Sequence, residues 1–196
     1  MLIPKHTGLI TEDDYLQGEL TSDVKHELID GCVYAMAGAS ANHERIAGNI
    51  YRKFGNHLEG LPCEPFGSGM KVKAGSNFFY PDVSVDCHFD ESQPYYVQSP
   101  IIIVEVLSKA TRKMDETVKL LSYINIPSLQ EYVLIEQDFV DIQVIRRNES
   151  WLPRHYFLGD EITFESIDLN LPVEAIYARV HNEEMLEFLS KQAASD

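Results

Sequence analysis

The run from position 101 to 108, IIIVEVLS, limits the possible folds of this chain more than any other stretch. Its six aliphatic residues are mostly β-branched and predict a central strand that is buried on both faces. One carboxylate, Glu105, lies in the middle of this strand. Because an isolated carboxylate is costly to remove from water, Glu105 needs a cation as partner.

Local signals predict further helices and strands around this run. The segment TEDDYLQ, which begins at Thr11, has the capping-box pattern of a helix start. Asp30-Gly31 lies between two apolar segments and predicts a hairpin. Apolar residues recur at helical spacing between positions 40 and 59, with Ser40 or Asn42 as the candidate cap. Other strands are predicted at 70–73, 83–87, 101–107, 131–136, 140–146 and 151–157.

Two more helices complete the expected architecture. The first spans positions 111–125, with Met114, Val118 and Leu121 on one apolar face, and the second starts at about Val173. The order of elements predicts a mixed α and β fold in which a central sheet lies between helices.

Length and composition place the chain among globular proteins. Its 196 residues fit a single domain over residues 1–196, and 44% of them are apolar. No apolar run approaches the roughly 18 residues of a membrane span. The segment MLIPKHTGLI lacks the basic and long apolar parts of a signal peptide, so we expect the protein in the cytoplasm.

The cysteines and the net charge argue against two classes of site. Cys32, Cys63 and Cys87 are odd in number and contain no CxxC pair, so unpaired thiols are expected rather than a disulfide or a zinc site. The net charge of −15 opposes non-specific binding to phosphates, so a nucleic-acid interface would need a local basic patch. The candidate patch consists of Lys109, Arg112, Lys113 and Lys119. The same residues are also consistent with a solvated helix face.

A second carboxylate precedes the central strand. In YPDVSVDC, Asp82 follows Pro81 at the start of a predicted strand. If this strand pairs with the strand of Glu105, the two carboxylates lie close together and require a cation. Oxygen ligands of this kind suit Mg²⁺ or Mn²⁺. The alternative for Glu105 is an ion pair with an arginine or lysine.

The helix MDETVKLLSY supplies a possible cation. Asp115 and Lys119 are four residues apart and share one helical face, and Ser122 follows three residues later. An ordinary surface pair is one interpretation. If the helix packs near the end of the central strand, the Lys119 ammonium could instead enter the carboxylate cluster and stabilise charge on a phosphate. Glu27, just before the hairpin turn, is either an exposed strand residue or a further acidic member of the site.

These motifs, in this order, resemble the Uma-type family of candidate restriction endonucleases within the PD-(D/E)XK nuclease superfamily, which is abundant in cyanobacteria. The stretches that carry the resemblance are HELIDG, NHERIAGNI, YPDVSV, IIIVEVLS and TRKMDETVKLLSYINIPSLQEYVLI, and they cover nearly the whole chain. The resemblance implies a restriction-endonuclease-like fold, a mixed central sheet flanked by helices, and metal-dependent cleavage of phosphodiester bonds.

The resemblance also implies roles for particular residues. Asp82 matches the aspartate of the PD motif and Glu105 the acidic residue of the (D/E)XK strand. The lysine of that motif should lie two residues after Glu105, where this chain has Leu107. Similar family members carry the lysine on the following helix, which corresponds to Lys119. Glu27 matches an early acidic position of the fold.

The resulting expectation is an endonuclease that depends on Mg²⁺ or Mn²⁺. Asp82, Glu105 and the main-chain carbonyl of Val106 would bind the metal, and Glu27 and Lys119 would complete the catalytic set. The expected substrate is nucleic acid, with DNA favoured, and the expected assembly is a homodimer without membrane association. His43 is interpreted as a helix-end or core histidine and is left out of catalysis.

The sequence is also compatible with two other functions. One is a catalytically inactive nuclease-fold protein that acts as a binding or regulatory module, which the acidic net charge favours. The other is a metal-independent hydrolase that uses paired carboxylates for acid–base chemistry. Against the metal-independent hydrolase, the sequence has no clear cluster of sugar-binding aromatic residues near Asp82 and Glu105.

Overall fold

In the computed structural model, which describes residues 8–194, the first two helices start at the predicted caps. The Thr11 hydroxyl accepts a hydrogen bond from the first turn of helix α1 (Glu12–Glu19). The Ser40 hydroxyl does the same for helix α2 (Ala41–Leu58), so Ser40 rather than Asn42 is the cap. The N-terminal segment without signal-peptide features lies largely in residues 1–7, outside the described part of the chain.

The predicted hairpin is confirmed. Strands β1 (His26–Ile29) and β2 (Cys32–Ala35) pair antiparallel around Asp30 and Gly31. Both turn residues have positive φ angles, 48° and 75°, as a two-residue type I′ turn requires. Aspartate and glycine tolerate this backbone conformation better than most residues, so the turn fixes the register of Glu27 in β1.

The remaining strands follow along the chain. They are β3 (Glu64–Gly67), β4 (Lys71–Ala74), β5 (Asn77–Phe79), β6 (Val83–Asp86), β7 (Tyr96–Val97), β8 (Pro100–Leu107), β9 (Glu131–Glu136), β10 (Ile142–Arg146), β11 (Pro153–Tyr156), β12 (Glu161–Phe164) and β13 (Leu169–Pro172). Sequence patterns did not predict β3, β5, β7 or the β12–β13 hairpin. Their pairing with neighbouring strands, rather than their own periodicity, defines them.

Three groups of paired strands result. A six-stranded sheet has the order β11-β10-β9-β8-β6-β3, a five-stranded sheet has the order β2-β1-β5-β4-β7, and β12 pairs with β13. Strand β8 is interior to the larger sheet, antiparallel to β6 and parallel to β9. The predicted mixed sheet, with the strands of Asp82 and Glu105 as neighbours, is confirmed.

The larger sheet has a different layer on each face. Helix α2 covers one face together with the β12–β13 hairpin, α5 (Val173–Ile176) and α6 (Glu183–Ala193). The other face packs against residues of the second sheet and the helical segment 112–126. The expectation of helices on both sides is therefore correct in part, since a sheet provides much of the second layer.

The helical segment after β8 differs from a regular helix. It consists of α3 (Arg112–Met114), a π-helical turn (Asp115–Lys119) and α4 (Leu120–Tyr123). The predicted apolar face is correct for Met114 and Val118, which pack against the core, but wrong for Leu121, which is 62% exposed. Asp115, Lys119 and Tyr123 are buried on this segment as well. A π-turn has more residues than an α-turn and so shifts the phase of the residues that follow it.

The expectation of three unpaired thiols was also wrong. Cys63 and Cys87 form a disulfide, and Cys32 is free. The two cysteines flank the paired residues Glu64 and Asp86 of β3 and β6. Their proximity is a consequence of strand pairing, which cysteine spacing alone does not reveal. Among residues 8–194, no helix is long and apolar enough to cross a membrane.

Candidate active site

Glu105 projects from the face of β8 that meets the second sheet. Neighbouring residues Val104 and Val106 point to the core under α2, whereas Ile103 and Leu107 pack on the opposite side. Alternation along the strand therefore directs Glu105 toward the second sheet and the helical segment after β8. It is 4% exposed, and its neighbours must supply a cation.

Lys119 lies at the centre of three carboxylates. Its Nζ is 3.1 Å from Oε1 of Glu105, 3.0 Å from Oε1 of Glu27 and 3.2 Å from Oδ1 of Asp115. Lys119 is 5% exposed, and Glu27 and Asp115 are buried as well. The interpretation of Asp115 and Lys119 as an ordinary surface pair was wrong. The cation that Glu105 requires is therefore supplied by the protein itself, as Lys119.

The position of Lys119 explains why Leu107 can replace the expected lysine. Leu107 packs among apolar side chains and is almost fully buried. Lys119 reaches the same face of β8 from the π-helical turn, and Tyr123 in the next turn donates its hydroxyl to Oε1 of Glu105 at 3.1 Å. The segment after β8 thus supplies both hydrogen-bond donors of Glu105.

Glu27 joins the cluster through strand alternation in β1. Leu28 packs in a separate cluster near α1, whereas Ile29 faces the core shared with β8. Glu27 and Ile29 are two residues apart and lie on the same strand face. The Glu27 carboxylate also accepts the backbone N–H of Tyr80 at 3.1 Å, so it is fixed from two sides. The interpretation of Glu27 as an exposed strand residue was wrong, since it is 3% exposed.

Asp82 occupies the other end of the site and is held by two donors. The backbone N–H of Val106 donates to Oδ2 at 2.7 Å, and His43 Nε2 lies 3.3 Å from the same oxygen. His43 comes from the first turn of α2, so that helix contributes directly to the site. Sequence reasoning left His43 out because it has no other histidine or cysteine at ligand spacing. Its position at the start of the helix that covers β6 and β8 was the available signal.

Burial and crowding of charge shift the pKa values of the groups in this cluster. Burial raises the pKa of Glu105 well above its usual range, although the Lys119 ammonium opposes this effect. Burial also raises the pKa of Asp115, again against Lys119. Burial alone would lower the pKa of Lys119, but the surrounding carboxylates, Glu105 first, raise it well above 10.5. The cluster therefore retains a charged lysine and has an affinity for additional positive charge.

Each of the two candidate metal ligands has one oxygen without a donor. Both donors of Asp82 bind Oδ2, and both donors of Glu105 bind Oε1. Within residues 8–194, no hydrogen-bond donor contacts Oδ1 of Asp82 or Oε2 of Glu105. Both residues line an open cleft. This donor set fits a hard cation that takes a few carboxylate oxygens and retains water molecules.

A complete all-protein metal cage is absent from the described residues. No three histidine, cysteine, aspartate or glutamate side chains between positions 8 and 194 form a ready metal-binding group. Lys119 explains this in part, because it occupies the space among Glu27, Glu105 and Asp115. The pair Asp82 and Glu105 is what remains for a cation.

The cleft above the site has a volume of about 740 Å³. Its wall includes residues 35–40, at and after the end of β2, and residues 108–111 after β8. It contains six carboxylates and three lysines: Glu27, Glu44, Asp82, Glu105, Asp115 and Asp138 against Lys25, Lys109 and Lys119. The excess of negative charge means that a phosphate enters favourably only together with cations.

The predicted basic patch is reduced to two exposed residues, Lys109 and Lys113. Lys119 is buried in the carboxylate cluster, and Arg112 pairs with Glu136. Lys109 is 90% exposed, with Asp138 at 3.8 Å. Ser122 also lies outside the site, because its hydroxyl donates to a carbonyl of its own helical segment.

A mixed sheet with an acidic residue at the start of one strand, a second in the next strand and a lysine nearby is the arrangement of the restriction-endonuclease-like fold. A crystal structure of a protein from Anabaena variabilis ATCC 29413, described as a "putative nuclease belonging to DUF820", matches with a TM-score of 0.75 and 17% identity. The match covers 88% of this chain and 99% of the other.

Sequence comparison identifies the family. The Uma2 family, described as "Putative restriction endonuclease", matches residues 12–174, and the chain belongs to this family. Two relatives come from Synechocystis sp. (strain PCC 6803). The uncharacterized protein slr1290 is 36% identical over 173 residues, which covers 86% of this chain and 91% of that protein. The uncharacterized protein sll1609 is 36% identical over 142 residues, with 70% and 80% covered.

Proposed function

We propose that the protein is an endonuclease that uses Mg²⁺ or Mn²⁺ to hydrolyse phosphodiester bonds in nucleic acid. The observation that carries this proposal is the pair of cleft-lining carboxylates, Asp82 and Glu105, each with one oxygen that no described donor contacts. Family membership supports the same reaction class. The excess of carboxylates in the cleft supports a requirement for cations.

The proposed roles follow from the contacts of each side chain. Asp82, Glu105 and the Val106 carbonyl would hold the divalent ion. When bound, such an ion lowers the pKa of a water ligand and polarises a phosphate oxygen. Lys119 orients the attacking water and offsets negative charge that develops on the phosphate. Glu27 fixes Lys119 in place, because its carboxylate bridges the ammonium and the Tyr80 N–H.

The first test is calorimetric titration of metal-free protein with Mn²⁺. We compare wild type with the double variant Asp82→Asn/Glu105→Gln, which retains the shape of both side chains. Glu44→Gln is the matched control, since it removes one carboxylate from the same cleft. Binding in wild type and the control, and its loss in the double variant, is the expected result.

Nuclease activity is measured next on plasmid and single-stranded DNA with Mg²⁺ or Mn²⁺. Cleavage by wild type and not by the double variant completes the support for the proposal. The titration is repeated with a short oligonucleotide present, so that a site completed by substrate phosphate is detected. Absence of both metal binding and cleavage would refute the proposal in favour of a non-catalytic binding module.

The substrate and the assembly belong to the same proposal. DNA is the proposed substrate, and the protein is proposed to act in the cytoplasm as a homodimer, because cleavage of a duplex requires two sites. Strand β11 is an edge strand of the larger sheet, and Leu152 and Phe157 beside it are exposed. Light scattering at micromolar concentration tests the assembly, and a monomeric mass would contradict the dimer.

A further inference from the structure

His43 contacts Asp82 from a position that is fixed on two sides. The backbone N–H of His43 donates to the Ser40 hydroxyl at 3.1 Å, as part of the cap of α2. Its Nε2 is 3.3 Å from Oδ2 of Asp82. The imidazole is mostly buried and lines the cleft beside Asp82. His43 therefore meets the carboxylate through a rigid helix terminus rather than through a mobile loop.

The two donors of Asp82 converge on a single oxygen. With the Val106 N–H alone, the carboxylate plane could still turn about the terminal torsion of aspartate, which is broad. The second donor, His43 Nε2, removes this freedom, since both donors contact Oδ2. Oδ1 is then the oxygen that faces away from both donors.

The start of α2 is also tied to the end of β8. The Ser40 hydroxyl donates to Oε1 of Gln137, and Nε2 of Gln137 donates to the carbonyl of Leu107 at 2.8 Å. Leu107 is two residues after Glu105 on the same strand. The chain of bonds thus sets the position of His43 relative to the strand that carries the second carboxylate.

The environment of Nδ1, the other ring nitrogen of His43, indicates that this side chain does not serve packing alone. Nδ1 of His43 is buried and has no hydrogen-bond partner among the described residues. An unpaired buried nitrogen is unfavourable, and an apolar side chain would avoid this cost if the position served packing alone. The contact between Nε2 and Asp82 is the feature that an apolar residue cannot provide.

We propose that His43 is a positioning residue that holds the Asp82 carboxylate with Oδ1 toward the cleft and thereby strengthens binding of a divalent cation. The inference rests on the proposed function, because it assigns His43 to the same cation site. Hydrogen-bond partners of metal ligands elsewhere typically change metal affinity by about 10–100-fold when they are removed. The same range is expected here.

The test measures Mn²⁺ affinity by calorimetry in metal-free buffer. His43→Leu should weaken binding by about 10–100-fold. His43→Gln should retain most of the affinity, because its amide nitrogen can occupy the place of Nε2. His57→Leu is the matched control, since His57 lies on the same helix and binds the Ile167 carbonyl far from Asp82. It should bind Mn²⁺ like wild type.

Folding of each variant is checked by circular dichroism and urea unfolding. If His43→Leu does not fold, His43→Asn is compared with His43→Gln, because both are polar but the shorter amide does not reach Asp82. Stronger Mn²⁺ binding by the glutamine variant is then the expected result.

The outcomes separate the inference from the proposed function. Mn²⁺ binding that is equally strong in wild type and His43→Leu would overturn the role of His43 while the carboxylate site stands. Equal weakening in His43→Leu and His43→Gln would overturn it too, since a hydrogen bond alone would then not explain the effect. Absence of Mn²⁺ binding in wild type, with and without oligonucleotide, would remove the proposed function and the inference together.

Discussion

Replacement of Lys119 by methionine tests the electrostatics of the site most directly. The substitution preserves the length and apolar stem of the side chain but removes the ammonium that lies 3.0–3.2 Å from Glu27, Glu105 and Asp115. All three carboxylates are less than 5% exposed, so water cannot replace the lost cation. The variant must therefore bury unpaired negative charge or take up protons.

The expected cost follows from these two options. Removal of one partner from a buried ion pair destabilises a protein by about 3–5 kcal/mol. Protonation limits the loss, because placing a proton on an ordinary glutamate at pH 8 costs about 5 kcal/mol. We therefore expect Lys119→Met to lower the free energy of unfolding by about 4 kcal/mol at pH 8.

The cost should decrease as the pH falls. In the variant, the pKa of a buried carboxyl is raised above its value in the unfolded chain, so the folded state binds the extra proton. Stability is then gained as the pH falls through the raised pKa and lost as it rises. Uptake of one proton changes the free energy by about 1.4 kcal/mol per pH unit, or about 2.7 kcal/mol between pH 8 and pH 6.

Urea unfolding followed by the fluorescence of Trp151 measures this effect. Lys113→Met is the control, because Lys113 is exposed on the same helical segment and should leave the unfolding midpoint unchanged. Mn²⁺ at about 100 times its Kd should restore about 2.7 kcal/mol to the Lys119 variant if the cation still binds. A cost below about 1 kcal/mol, or one that is the same at pH 6 and pH 8, would refute the reasoning.

Three further predictions use other parts of the molecule. Because the pKa of Glu105 is raised, Mn²⁺ competes with a proton at this residue, and its affinity should increase as the pH rises, by up to about tenfold per pH unit. Calorimetry in buffers of different ionisation enthalpy measures this effect, and a pH-independent affinity would contradict it. The Cys63–Cys87 disulfide closes a loop with a sequence separation of 24, so its reduction should lower the free energy of unfolding by about 3.5 kcal/mol through chain entropy. Urea unfolding measures this loss, and Cys32→Ser is the control that should be unaffected. An unchanged unfolding midpoint after reduction would contradict the prediction. Arg146→Met should lower the free energy of unfolding by about 3–5 kcal/mol, because it removes the cation of the buried Glu131 carboxylate, while Mn²⁺ affinity stays unchanged. A parallel loss of Mn²⁺ binding would show that the two regions are coupled.

Helix caps and turns were predictable from the sequence because their causes are local. Thr11 and Ser40 accept hydrogen bonds from the helix turns that immediately follow them. The Asp30-Gly31 turn depends only on which residues tolerate positive φ. The continuous apolar run around Glu105 required a strand buried on both faces, and β8 has that position.

Other features depend on partners that are distant in sequence. Leu121 was wrongly assigned to the buried face because the π-helical turn changes which of the later side chains point inward, and residue periodicity assumes a regular helix. The disulfide was missed because strand pairing, rather than cysteine spacing, brings Cys63 to Cys87. Strands β3 and β7 were missed because pairing with a neighbouring strand, rather than their own sequence pattern, defines them.

The candidate site combines features that local sequence determines with features that depend on residues distant in sequence. The sequence by itself determined that Glu105 is in a buried strand, that Asp82 starts another strand, and that Asp115 and Lys119 share a helical face, since each statement concerns residues that are close along the chain. Only the tertiary structure decided that Lys119 contacts Glu27 as well as Glu105, and that His43 contacts Asp82. Those contacts arise where two sheets and two helical segments pack together, and the geometry of that packing depends on the whole chain.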